Sequence, residues 1–133
     1  MKRTTLFKIL TLLYIAAVAV FCFANFSSLP IAPGKILGLD ADKVVHFLMF
    51  FPFPILAYLS FPLDKRGLVF TLFIIVLIFA VGCGLAGITE YVQGKLPYRT
   101  MDINDFKADM LGLLSASLIT FLLRLFTHPR KNA

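Results

Sequence analysis

Nine residues in this 133-residue chain have the types and spacing to do chemistry: Asp42, Lys43, His46, Glu90, Gln93, Arg99, Asp102, Asp105 and Asp109. On a helix, Asp42 and His46 stand four apart and share a face, and Glu90 and Gln93 stand three apart and share another. Asp102, Asp105, Asp109 and Gly112 follow i, i+3, i+7, i+10, one side of a third helix, with Asp102 at or beyond its start. Carboxylates beside an imidazole suit general acid/base work, with His46 and Glu90 as the acid/base candidates. Alternatively, Asp102, Asp105 and Asp109 could hold a hard divalent ion for phosphate chemistry. Read as a binding set, Arg99 and Lys43 would grip an anionic group, Arg99 in bidentate fashion. Glu90, Gln93, Asp102 and Asp105 would then hydrogen-bond sugars or amines. Glu90 stands out, because it ends a long apolar run at a helix C-terminus, where the helix dipole disfavours an anion.

The elements that position these residues follow from composition. Hydrophobic residues are 59% of the chain, charged residues 15%, and the mean hydropathy is +0.89. Soluble domains are nearer half apolar and a quarter charged. A small chain has too little interior to hide such a surplus. A disordered chain, a collagenous repeat and a soluble enzyme of ordinary composition are excluded. Four runs of about 20 apolar residues are long enough to cross a bilayer: about 6–24, 44–62, 68–89 and 106–126. They are continuously apolar, without the alternation of barrel strands. The expected fold is all-α: a polytopic membrane protein with four transmembrane helices in one bundle, a single domain over 1–133. Pro52 and Pro54 should kink or split the second helix near its middle. All nine residues then gather at one end of helices two, three and four, as an outward-facing polar pocket. Ionisable residues at that depth face the bundle interior, a partner or water.

The charges give an orientation. Lys2, Arg3, Lys8, Lys65, Arg66, Arg124, Arg130 and Lys131 share one side with a single acid, Asp64. Lys35, Lys43, Lys95, Arg99 and Lys107 share the other with Asp40, Asp42, Glu90, Asp102, Asp105 and Asp109. The positive-inside rule places the first set, and both termini, in the cytoplasm. The formal charge of +6 is then a topology signal and implies no nucleic-acid partner. An alternative reads the first span as a signal peptide, since Lys2 and Arg3 form a basic n-region and Cys22-Phe23-Ala24 loosely fits a cleavage site. The run is long for that role. Cys22 and Cys83 fall in spans and read as buried thiols.

Plainer roles compete at several positions. Asp40 or Asp42 would N-cap helix two, and Asp102 or Asp105 helix four. His46 could simply bond Asp42, and Arg99 could neutralise nearby acids. Gly82-Cys83-Gly84-Leu85-Ala86-Gly87 fits the dinucleotide-binding G-x-G-x-x-G pattern in letters only, with no strand before it. Within a span, Ala80 with Gly84 and Cys83 with Gly87 are expected to permit close helix approach. Gly112, Ser115 and Ala116 would form the matching surface. No zinc signature and no cofactor motif occurs, so no cofactor is expected.

The ordered set Asp42-Lys43-x-x-His46-Phe47, Glu90-x-x-Gln93, Arg99-x-x-Asp102-x-x-Asp105 and Gly112 resembles the VanZ-like family of small bacterial membrane proteins, from about Ala24 to Leu123. The chain departs from the family pattern at Asp109, where members often carry Asn. The family takes its name from a protein linked to teicoplanin resistance. The resemblance implies a multi-pass protein of the bacterial plasma membrane acting at the cell envelope, and supplies no reaction. Two functions follow as expectations. One is a binding protein for a membrane lipid, a lipid-linked wall precursor or a lipophilic glycopeptide. The other is an intramembrane hydrolase or transferase acting on a polar lipid headgroup. A transport role would require a homo-oligomer.

Overall fold

The computed structural model describes residues 1–25 and 34–128. Arg130 and Lys131, placed in the cytoplasm above, lie outside the described residues. The chain is an all-α bundle: α1 (Arg3–Phe23), α2 (Ala41–Phe50), α3 (Pro52–Leu59), α4 (Leu68–Gln93) and α5 (Ile103–Thr127). The helices of four segments are long and apolar enough to cross a membrane: α1, α2 with α3 as one broken span, α4 and α5. The protein is therefore a multi-pass membrane protein. The break falls at Phe51, directly before Pro52, and no more than a third of any span's apolar window is buried. Pro52 and Pro54 have no backbone N–H to donate and crowd the preceding turn. The outward residues are large and apolar, such as Leu13, Phe21, Phe73 and Phe126, as lipid contact requires.

The second span starts earlier than its apolar run, at Ala41, because the polar turn Asp42-Lys43 is already helical. It is preceded by a hairpin that the continuous hydropathy pattern hid. Lys35–Ile36 pairs antiparallel with Leu39–Asp40. Its two-residue turn places Leu37 at φ +52° and Gly38 at φ +81°, a twist that matches the flanking strands.

The helix α5 packs on both α2 and α4, while α1 lies mainly on α3. Small residues make this possible, though not the expected pairs. A Cβ on Gly112 would collide with the Phe47 carbonyl oxygen of α2. One on Gly82 would come within 2.6 Å of Leu113 Cδ2. At Gly84 a Cβ would meet nothing within 4 Å, so the close-approach face of α4 runs through Gly82 and Ala86. The apolar core between the ends joins Cys22, Phe50, Phe53, Ile78 and Leu113.

The end opposite the nine residues has its own anchor, which the sequence did not flag. Arg124 is buried, and its Nη2 donates to the carbonyl oxygens of Leu63, Asp64 and Arg66 at 2.9–3.1 Å. Arg3 pairs with Asp64 at 3.1 Å. The chain start, the α3–α4 loop and the end of α5 therefore share one end of the bundle.

Candidate functional site

At the other end, α2, α4 and α5 converge, and their polar residues meet. The start of α5 sets the frame. Asp102 is its N-cap, accepting from the Asn104 amide at 2.8 Å. Asp102 also accepts from Lys43 Nζ at 2.9 Å, and the ammonium, followed by the Asn104 amide, holds its carboxyl below the ordinary carboxylate range. Asp40 occupies the N-cap of α2, yet its side chain makes no capping bond. Asp109 lies seven residues beyond Asp102, about 10 Å farther along the helix at 1.5 Å per residue.

Side-chain exposure falls steadily along this path: 62% at Asp42, 38% at Asp102, 27% at Lys43, 10% at Asp105, 7% at His46, 4% at Glu90 and 0% at Asp109. A polar column thus runs from the surface to a buried floor. Near the surface, Lys43 bonds Asp42, Asp102 and Asp105. Beneath it the His46 ring has carboxylates on both nitrogens. Its Nδ1 lies 2.9 Å from Asp109 Oδ1 and 3.8 Å from Glu90 Oε1. Its Nε2 lies 3.5 Å from Asp105 Oδ2 and 4.0 Å from Asp42 Oδ1. The expected His46–Asp42 pair is thus the longest of four such contacts. Five carboxylates face one ammonium and one imidazole. Glu90 Oε1 and Asp109 Oδ2 are buried without a hydrogen-bond partner, which is costly where the dielectric is low.

Glu90 sits where the sequence made it anomalous, in the last turn of α4. Its Oε2 accepts from the Asp102 backbone amide at 3.2 Å, and this ties α4 to the start of α5. The donor atoms that close to within 4.8 Å of one another are Asp42–His46–Asp105 and His46–Glu90–Asp109. The Asp102–Asp105–Asp109 series is not among these groups, because successive positions on one helix face climb its axis.

Two of the nine residues do not join the cluster. Gln93 Nε2 donates to the Cys22 carbonyl at 2.9 Å, and Arg99 Nη2 to the Phe21 carbonyl at 2.9 Å. Tyr98, unremarked in the sequence, donates to the Phe23 carbonyl at 2.6 Å. The last carbonyls of a helix have no partner within it. Here the end of α4 and the loop after it cap α1 with three side chains. Arg99 therefore braces α1 through its Nη2. Gln93→Ala should leave the buried Cys22 carbonyl unsatisfied and lower stability by about 1–3 kcal/mol. Denaturation in detergent micelles reads the loss, and faster maleimide labelling of Cys22 locates it.

Two cavities, of about 310 and 440 Å³, lie elsewhere. One is beside Tyr58, Asp64 and Arg124, the other is an apolar groove beside Thr11, Phe53 and Val81. Within the cluster Lys43 bonds Asp42, Asp102 and Asp105, and His46 bonds Asp109. Its interior suits protons, water or an ion, and a larger group would reach it only at the Asp42–Lys43–Asp102 rim.

No protein-family profile and no solved structure matches the chain. An uncharacterised protein of Schizosaccharomyces pombe is 37% identical over 81 residues, 61% of this chain and 47% of that protein. The chain spans about half the length of that relative. The relative is eukaryotic and carries no function in its name, so these comparisons lend no support to the resemblance with a bacterial family.

Proposed function

We propose that this multi-pass membrane protein is an intramembrane hydrolase or transferase acting on a polar lipid headgroup at one membrane face. The observation that supports it is the fully buried His46–Glu90–Asp109 floor beneath a polar column open at the surface. Burying ionisable groups in a span is expensive, and such groups mark proton, ion or substrate pathways. A surface for holding a large ligand does not need them. In this reading Asp42, Lys43 and Asp102 receive the headgroup, and His46, Glu90, Asp105 and Asp109 form the reactive centre.

The Lys/Arg bias supports a topology with both termini cytoplasmic and the centre facing outward. The VanZ-like reading belongs beside it. Of the residues that carry the resemblance, Asp42, Lys43, His46, Glu90, Asp102 and Asp105 form the cluster. Gln93 and Arg99 brace α1, and Gly112 lets α2 and α5 touch. The test is a lipid profile of cells with and without the gene. We expect a lipid product that disappears on deletion and stays absent with His46→Ala or Glu90→Gln. An unchanged profile alongside teicoplanin protection would overturn the enzyme reading in favour of binding.

A further inference from the structure

We propose that His46 Nδ1, Glu90 Oε1 and a carboxylate oxygen of Asp109 hold one divalent transition-metal ion of the zinc class. The three side chains come from three helices, α2, α4 and α5, and are 5%, 3% and 0% exposed. Their donor atoms already lie within 4.8 Å of one another. Metal–ligand bonds of about 2.0–2.2 Å in a tetrahedral site put neighbouring ligands roughly 3.3 Å apart. The distances from Nδ1 to Asp109 and Glu90, 2.9 and 3.8 Å, bracket that value.

A second observation points to the same place. Glu90 Oε1 and Asp109 Oδ2 are buried with no hydrogen-bond partner. Two carboxylates and a dication sum to a neutral site, which removes the cost of the buried anions. The mixed nitrogen and oxygen donors favour zinc or a neighbouring first-row metal over magnesium or calcium. Three protein ligands leave a fourth position open, as catalytic zinc sites do.

The opposite face of the ring completes the arrangement. With the metal on Nδ1, the Nε2 proton points towards Asp105 Oδ2 at 3.5 Å. A carboxylate behind a metal-bound histidine fixes its tautomer and orientation. The alternative group, Asp42–His46–Asp105, is excluded by Lys43, whose ammonium already bonds both carboxylates.

The site deepens the enzymatic reading and, for its substrate, rests on it. An acidic cluster repels phosphate. A dication with an open coordination position offsets part of that charge and gives a phosphate oxygen a direct ligand position below Lys43, which selects a phosphate-bearing headgroup. The reaction is hydrolysis. A water oxygen bonds to phosphorus, the P–O ester bond breaks, one of the water's protons ends on the departing oxygen, and the other stays on the new phosphate or passes to solvent. His46 is then a ligand, and Asp105 its positioning residue.

Metal binding is measured without any lipid, so its failure is separable from failure of the enzyme reading. The full chain, purified in detergent with any affinity tag removed, is dialysed with zinc and assayed for metal per chain and for affinity. We expect one tightly held ion per chain. Glu90→Gln and Asp109→Asn should each weaken it by more than the roughly 10–100-fold that loss of a second-sphere partner costs, and Asp105→Asn by about that 10–100-fold. Asp40→Asn, an exposed position outside the cluster whose side chain makes no capping bond, should leave it unchanged. A wild-type chain that retains no zinc overturns the proposal. So does equal retention by Glu90→Gln and Asp109→Asn, or loss in Asp40→Asn alone. Should the floor variants not fold, cobalt substitution of the wild type decides. A tetrahedral nitrogen–oxygen spectrum supports the site, and the spectrum of aqueous cobalt overturns it. Zinc bound without lipid turnover sinks the enzyme reading and leaves the metal site standing.

Discussion

His46→Ala should destabilise the protein by about 3–5 kcal/mol, the range expected when one partner of a buried charged set is removed. The imidazole sits between four carboxylates, two on each nitrogen. Without it, Asp109 Oδ1 loses its imidazole partner and joins Asp109 Oδ2 and Glu90 Oε1 as an unpartnered oxygen at the buried floor, Glu90 Oε2 alone keeping the Asp102 backbone amide. Lys43 cannot replace it, because its ammonium is held nearer the surface by Asp42, Asp102 and Asp105. Chemical unfolding in detergent micelles measures the effect. A variant within about 0.5 kcal/mol of wild type, the range of an ordinary surface change, would show that the carboxylates are satisfied some other way.

The second large effect is steric. Gly112→Ala should cost about 1–3 kcal/mol through overpacking, because the added Cβ meets the Phe47 carbonyl oxygen of α2. A helix backbone cannot yield as a side chain can, so α2 must shift away from α5. That shift would move His46, one residue before Phe47, relative to Asp109. The control is Gly84→Ala on α4, where a Cβ meets nothing within 4 Å. There the helix propensity of alanine should stabilise by up to about 1 kcal/mol. Opposite signs for the two substitutions in the same unfolding assay are the expected result. Equal effects would contradict the close contact of α2 and α5.

The bundle was largely legible in the sequence, since unbroken apolar runs and two prolines leave few alternatives. Each span differs from its expected limits by a few residues, because polar turns such as Asp42-Lys43 and Ile103-Asn104 are helical without being apolar. The Leu37-Gly38 hairpin was not legible, being short and lacking the Asn-Gly or Asp-Gly signal.

The candidate site was legible at seven of its nine positions. Helical spacing put Asp105 and Asp109 on one face and set Glu90 apart at a helix end. Spacing within a helix cannot reveal which backbone a side chain will reach. Gln93 and Arg99 bond carbonyl oxygens at the end of α1, and a carbonyl leaves no mark in sequence. Arg124 escaped notice for the same reason, since all three of its bonds go to loop carbonyls. Small-xxx-small spacing marks several faces of α4: Gly84 faces no neighbour, Gly87 lies in ordinary contact with Phe106 of α5, and the tightest approach, against Leu113 and Phe53, falls at Gly82.

We expect the His46–Glu90–Asp109 floor to perform chemistry on a lipid headgroup. The most direct measurement places the purified, zinc-loaded protein in vesicles of mixed phosphate-bearing lipids and follows the products by mass spectrometry. The expected result is a headgroup cleaved by the wild type and left intact by folded Glu90→Gln protein. Intact lipids throughout, with wild-type protein that is folded and metal-loaded, would contradict it.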